Sequence, residues 1–312
     1  TSLLDNKSVW AHHSLLHAQA KDKCYIDETN DSLMTQVVSY YEDKLDKEKL
    51  FKAYYYLGRI QYNAGDYAES MLSYTKAEQL IDKIDDDFIK GLLYAQLGML
   101  HQKYYDYPRS LEYYSTAGTY YESAGAISHK YFSQLNIGQL YLEIKDYLPS
   151  EEILSDLITW AYNNQQSILC EYAINLLITL YDETDQKDKS ITLLTSEFAH
   201  ICKGSLPIIH VRAYNQARQK DLSSMNLISD AERLLQNTSD TISHYYYKYR
   251  ILKEFGRYEE ALINHERMIH LQDSITISAL QQPMLTAKNS YLQAENRYMQ
   301  LKVKMHKTQK YF

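Results

Sequence analysis

Three glycines, Gly58, Gly98 and Gly138, stand 40 residues apart, and each is followed by an Asp-Tyr pair at Asp66-Tyr67, Asp106-Tyr107 and Asp146-Tyr147. The phrases around them run Tyr54–Ala77 (YYYLGRIQYNAGDYAESMLSYTKA), Tyr94–Ala117 (YAQLGMLHQKYYDYPRSLEYYSTA) and Gln134–Leu157 (QLNIGQLYLEIKDYLPSEEILSDL). A period of this size marks stacked supersecondary units, none of which can bury its apolar face alone. Such a chain is a stacked binding surface first, and an enzyme only through a site assembled from distant repeats.

Each unit divides into two helices. Glycine inside a helix costs roughly 1 kcal/mol against alanine, so a close approach of the partner helix is the expected compensation. Pro108 and Pro149 fall just after the turn, where a helix begins and a missing N–H is harmless. Ser70, Tyr74 and Ala77, then Ser110, Tyr114 and Ala117, recur at spacings of three and four, which places them on one face against the first helix.

This pattern resembles the tetratricopeptide repeat: Tyr54, Leu57-Gly58, Tyr62, Ser70, Tyr74 and Ala77 stand where that family has its aromatic, Leu-Gly, aromatic and small residues. The match extends through the first three copies. It returns in a sixth at Tyr245, Tyr249, Gly256-Arg257-Tyr258 and Ala261, with helical but glycine-free stretches at 176–197 and 213–235 between. Two departures stand out. The period is 40 rather than 34, and Asp82, Glu122 and Tyr162 replace the closing proline, which reads as a longer second helix. The implied fold is all-α: a right-handed superhelical α-solenoid of roughly 14 or 15 helices ending in a long C-terminal helix. Residues 1–45 form an N-terminal capping helix pair, with Asp31 or Ser32 as a helix cap. Residues 46–272 form the solenoid of about six helix pairs, and 273–312 the terminal helix.

That terminal stretch has its own pattern. Ile277, Leu280, Met284, Ala287, Tyr291, Ala294, Tyr298, Leu301, Met305, Thr308 and Phe312 alternate spacings of three and four. This reads as a heptad seam, begun by Asp273 as a helix cap and kinked at Pro283. A homodimer through this helix is one expectation, a cap on the solenoid the other.

The segment Lys21–Leu80, with its Tyr-Ile-Asp-Glu-Thr-Asn-Asp-Ser-Leu stretch and first repeat, is similar to the sensor region of Bacteroides-type membrane-anchored transcriptional regulators. The resemblance implies a periplasmic solenoid, with a membrane span and a DNA-binding module beyond Phe312; a cytoplasmic location is the alternative. Thr1 in place of a methionine fits a fragment of a longer protein. The function implied is a non-catalytic protein- or peptide-binding sensor domain. A free-standing scaffold and a peptide-pheromone receptor are the alternatives.

The resemblance also carries a site. The first helix of each pair lines the concave groove, which picks Tyr55, Arg59, Tyr62, Gln96, Met99, Gln102, Asn136, Gln139, Tyr246, Arg250 and Lys253. Amides and phenols suit an extended peptide backbone, and Arg59, Arg250 and Lys253 suit a carboxylate. The lysine–asparagine clamp of chaperone-binding members is not matched, since Tyr55 and Arg59 take its first positions.

Other chemistry finds little support. A formal net charge of −7 argues against nucleic acid bound by this region itself. His13 and His17 share a helix face, but Ser14, Leu15 and Leu16 between them supply neither a third ligand nor a base, so no metal is expected. No phosphate loop, nucleophile elbow or dinucleotide fingerprint occurs, so no cofactor and no catalytic residue is expected either. Asp85, Asp86 and Asp87 read as a helix start. Three scattered cysteines, Cys24, Cys170 and Cys202, read as free thiols, with a Cys170–Cys202 disulfide as the alternative. Most of the 32 tyrosines are expected at core positions of the repeats.

Overall fold

The computed structural model describes residues 7–198, 204–281 and 291–292. Among them are fourteen α-helices and no strand, and their contacts divide the chain into two compact units.

The first unit, Thr1–Gly125 with Leu280–Phe312, contains α1 (Lys7–Lys23), α2 (Ser32–Glu42), α3 (Lys47–Ala64), α4 (Tyr67–Glu78), α5 (Asp87–Lys103) and α6 (Tyr107–Ser123). The second, Ala126–Ala279, contains α7 (Ile127–Glu143), α8 (Tyr147–Asn163), α9 (Ser167–Glu183), α10 (Lys187–Thr195), α11 (Leu206–Arg218), α12 (Ser223–Ala231) and α13 (Thr238–Glu254). Most of α14 (Tyr258–Gln281) also lies in it. Successive helices pair: α3 with α4 and α5 with α6 in the first unit, α7 with α8 and α11 with α12 in the second.

The origin of the repeat period differs from the expectation of a longer second helix. Each helix from α5 through α9 has 17 residues, so the two helices of a pair share the length equally. The turns between them are equally uniform, at Tyr104–Asp106, 124–126, 144–146, 164–166 and 184–186. The middle residue of each turn has positive φ: Tyr105 (59°), Gly125 (67°), Lys145 (62°), Gln165 (55°) and Asp185 (53°). After Tyr105, Lys145, Gln165 and Asp185 the N–H of the following residue then reaches back to a carbonyl of the preceding helix, as Asp146 does to Tyr141 (2.9 Å) and Gln166 to Ala161 (2.8 Å). These bonds satisfy carbonyls the helix end would otherwise leave bare. Four of the five left-handed residues are not glycine, at a cost of roughly 1–2 kcal/mol each. The underlying repeat is thus a single helix with its turn, half the period that the glycines show. It is hidden in the sequence because its turn position varies from Tyr to Gly to Gln.

The repeat glycines are required by side chains rather than backbones. A Cβ on Gly58 would lie 2.5 Å from the Tyr74 ring, and one on Gly98 2.9 Å from the Tyr114 ring. Beside each contact a buried serine hydroxyl donates to the glycine carbonyl: Ser70 to Gly58, Ser110 to Gly98 and Ser150 to Gly138, all at 2.8 Å. In the third copy Leu154 replaces the ring, 3.0 Å from a Cβ on Gly138.

Each unit has its own core. Phe51, Tyr55, Met71, Tyr74, Leu93, Leu97 and Leu100 centre the first; Leu154, Leu157, Leu169, Ile174, Ile178, Ile208 and Ile251 centre the second. Tyr41, Tyr54, Tyr56, Tyr114, Tyr121, Tyr181, Tyr214 and Tyr247 are buried as well, in line with a core role for much of the tyrosine. Helix starts follow the acidic residues: Asp46 accepts from the Lys49 N–H (3.0 Å) and Asp86 from the Ile89 N–H (3.2 Å). At α2, Asp31 is the cap residue but does not bond its helix through its side chain; it accepts instead from Gln61 at 3.3 Å.

Two further expectations change. Helix α14 runs through Asp273 without a break, so no cap forms there. The aspartate is exposed, and in a solvated helix interior its poor propensity costs well under about 1 kcal/mol, too little to end the helix. Pro283 and most of the heptad seam lie outside the described residues. Of the seam, Tyr291 is placed: its hydroxyl donates to Gln79 Oε1 at 3.2 Å, and Lys76 lies 5.7 Å from its ring. Cys202 is likewise outside the described residues. Cys24 is exposed and free, while Cys170 is free and buried, its thiol pushed up to about 11 by burial.

Candidate functional site

Arg59 on α3 reaches Asp22 on α1 (Nε–Oδ1, 2.9 Å) and Gln96 on α5 (Nη1–Oε1, 3.1 Å), with the Tyr74 hydroxyl 3.4 Å from the same amide oxygen. Three first-position helices are thereby tied side by side. Tyr55 lies beneath them, 1% exposed, its ring 6.0 Å from that of Tyr74. These residues were expected to line an open groove, and the geometry corrects that for two of them. Tyr55 is core, and Arg59 already holds a carboxylate, so it is not free for a ligand's.

Of the remaining candidates in this unit, Tyr62 is half-buried with its ring 5.2 Å from that of Tyr67 and 6.0 Å from the Lys103 ammonium. Gln102 accepts from the Tyr114 hydroxyl at 3.1 Å, and Met99 is half-buried. The small depression near Arg59, lined by Lys21, Asp22, Glu28, Tyr56 and Asn63, holds only about 20 Å³. The segment after α1 fills this face: Lys21 pairs with Glu28, and Asn63 donates to the Glu28 carbonyl at 3.4 Å.

The second unit is different. Arg250 on α13 pairs with Asp182 on α9, and the Tyr247 hydroxyl donates to the same Oδ2 at 2.9 Å. The guanidinium lies 3.8 Å from the Tyr214 ring on α11. Asp182 and Arg250 side chains are 6% and 17% exposed, so here too the expected carboxylate captor is taken by an internal partner. Lys253 remains exposed, 5.2 Å from the Tyr249 ring, while Asn136 and Gln139 are half-buried, Gln139 donating to Glu143 at 2.8 Å.

Beside this hub opens a cavity of about 480 Å³. Its polar lining comes largely from helix ends: Lys145 and Tyr147 where α7 passes to α8, Glu183 ending α9, His210 on α11, and Asp240 and Tyr246 on α13. Leu206, Pro207, Ile242 and Met268 supply apolar wall. Desolvation in the wall pushes the Glu183 carboxyl above the ordinary range, with Asp182 acting the same way and Lys145, Tyr147 and Arg250 opposing. His210 and His244 are buried ring to ring, Nε2 to Nδ1 at 3.3 Å. Burial, reinforced by His244, holds His210 down to about 3, so it is neutral.

Of the eleven expected groove residues, only Tyr246 lines this cavity. Lys145, Tyr147, Glu183, His210 and Asp240 escaped the sequence reading because they come from turns and helices of four different repeats, and no local motif joins them. Lys145 and Tyr147 alone carried a signal, Tyr147 as part of the repeated Asp-Tyr pair and Lys145 in the turn slot before it. A second, more apolar cavity of about 410 Å³ lies among α8, α9 and α10, lined by Ile158, Leu177, Tyr181, Leu193 and Phe198. It opens where α10 stops at Thr195, well short of the length its neighbours reach.

No protein-family model matches the chain, and no curated protein matches it either. Solved structures do. The apo form of RapI aligns with a TM-score of 0.62 at 11% identity, covering 92% of this chain and 88% of that one. Aspartyl phosphate phosphatase F from Bacillus subtilis aligns at 0.59 and 14% identity, over 85% of this chain and 74% of that one. A kinesin light chain with nearly identical TPR-like repeats, from Podosopora anserina, aligns at 0.51 and 13% identity, over 61% and 93%. At these identities the likeness establishes the architecture: this chain has a TPR-like all-α repeat fold.

Proposed function

We propose that this chain is a non-catalytic protein- or peptide-binding module, and that the cavity of the second unit receives the ligand. The observation that carries the reading is the cavity itself: about 480 Å³, walled by tyrosines, apolar side chains and a few convergent polar groups drawn from four repeats. That mixture suits a segment of chain, with apolar area for affinity and polar groups for orientation. The residues converge only when the repeats are stacked, so binding and repeat geometry are coupled, and a ligand that prefers one curvature shifts the population toward it.

The finer reading is a sensor domain of a bacterial transcriptional regulator, periplasmic and anchored through a membrane span beyond Phe312. Its support is the similarity of the 21–80 segment to such regulators. Among the described residues no helix is long and apolar enough to cross a membrane.

The test uses peptides eluted from the purified chain after incubation with cell extract, identified by mass, resynthesised and titrated by calorimetry. Saturable one-to-one binding that Tyr246→Ala weakens at least tenfold supports the reading. Binding unaffected by Tyr246→Ala but lost in a variant of the first unit, such as Gln102→Ala, overturns the cavity assignment.

A further inference from the structure

The C-terminal end of α9 and its turn carry three carboxylates, Asp182, Glu183 and Asp185, crowded where the helix dipole is negative and a further negative charge is unfavourable. Two are neutralised from other helices. Arg250 pairs with Asp182, and Arg218 with Asp185 at 2.8 Å. Glu183, between them in sequence, has no ion pair among the described residues; its hydrogen bond is a long one from the Tyr147 hydroxyl at 3.5 Å. It lines the cavity with its side chain exposed, alongside Tyr147, Tyr246 and Tyr247, and Asp240 on α13 lines the same cavity. Lys145, also in the lining, is exposed and acts on it only at longer range.

We infer that the cavity recognises a cationic group, a guanidinium or an ammonium, which completes at Glu183 the charge pairing that Arg250 and Arg218 supply to its neighbours. The inference rests on the cavity being the ligand site and names the chemistry that site selects. Three kinds of contact converge on such a group. The carboxylate offers a charge-assisted hydrogen bond, the tyrosine faces attract a cation, and the helix end adds its dipole. The neighbouring hub shows the same arrangement realised within the chain. There Arg250 lies on the Tyr214 face and against Asp182, with Tyr246 5.2 Å and Tyr247 5.8 Å from the guanidinium carbon. Arg250 is already held by Asp182, so it is not free to take an anionic ligand.

The source of the cation, a basic side chain in a peptide or a small free amine, separates by experiment. The probes are acetyl-Gly-Arg-Gly-amide, its neutral isostere acetyl-Gly-citrulline-Gly-amide, and spermidine, each titrated into the whole chain and followed by NMR. The expected result is saturable shifts of the Met268 methyl and the Tyr246 ring with the arginine peptide. Affinity should be about tenfold or more above that of the citrulline peptide, and Glu183→Gln should abolish the difference. The substitution preserves shape, and a matched circular dichroism melting curve confirms the fold. Tighter binding of spermidine than of the arginine peptide assigns a free amine, and the reverse a side chain; either supports the cation. Equal binding of the two peptides in the cavity, or a preference that survives Glu183→Gln, overturns the cation and leaves the cavity reading standing. No cavity shift with any probe overturns the cation inference too. The cavity reading then stands or falls on the eluted peptides and Tyr246→Ala.

Discussion

Arg250 on α13 and Asp182 on α9 form an ion pair across the intervening helix α11, whose Tyr214 ring lies 3.8 Å from the guanidinium. One pair thus fixes three helices of the second unit, and the Tyr247 hydroxyl adds a second donor to the same carboxylate. A buried pair of this kind is poor evidence of net stabilisation, but removing one partner strands the other. Asp182→Ala is expected to destabilise the second unit by about 3–5 kcal/mol, and Asp182→Leu with Arg250→Met to recover most of that. Urea unfolding read by circular dichroism decides it. A double variant no better than the single would show that the pair is needed for more than charge balance.

The serines of the repeat offer a contrast within one structural slot. Ser70, Ser110 and Ser150 are buried and bonded to glycine carbonyls, whereas Ser190, in the next copy, is buried with its hydroxyl unpartnered. Ser110→Ala should cost about 1 kcal/mol, and Ser190→Ala should be neutral or stabilising by up to about the same amount. Thermal melting of the two variants side by side gives the answer in the sign of the second.

At Gly58 a methyl group meets the Tyr74 ring at 2.5 Å. Alanine would gain up to about 1 kcal/mol of helix propensity there. Overpacking a filled core costs about 1–3 kcal/mol, so Gly58→Ala is expected to be a net loss and Gly98→Leu to disrupt the fold of the first unit. Adding Tyr74→Leu, which copies the leucine found at position 154 of the third repeat, should rescue Gly58→Ala in part. Failure of the rescue would place the obstacle in the backbone instead of the ring.

The buried histidines predict an acid-sensitive second unit. Burial lowers both His210, to about 3, and His244, where Lys248 adds to the effect and Glu232 opposes it. Above about pH 6.5 both are neutral folded and unfolded, so they contribute no slope. Below that value the unfolded chain takes up protons that the folded chain refuses, and stability falls toward pH 3 by as much as about 1.4 kcal/mol per unit through His210, with His244 acting in the same direction. Denaturant midpoints of wild type and His210→Gln at pH 7, 6 and 5 are the check. Parallel lines for the two proteins would remove His210 from the account.

The sequence by itself determined the repeat and much of what fills it. The regular spacing of Gly58, Gly98 and Gly138, with Tyr74 and Tyr114 on the following helix of the first two copies, specified paired helices and the face they share; that a ring and not the backbone needs the missing Cβ came from the packing. Contacts within a pair are local and recur, so a pattern can record them. The acidic run Asp85, Asp86 and Asp87 marked the start of α5 for the same reason. The site was not legible in that way. Arg59 and Arg250 have the same sequence character as a free groove cation, and only the neighbouring repeats brought Asp22 and Asp182 within reach. Glu183 looked like one acid among forty. Its place at a cavity wall, beside two neutralised neighbours, depends on where α11, α13 and the turn before α8 come to rest. Those relations join residues on separate repeats, which no local pattern encodes, so the tertiary structure alone decided which of these charges are already paired.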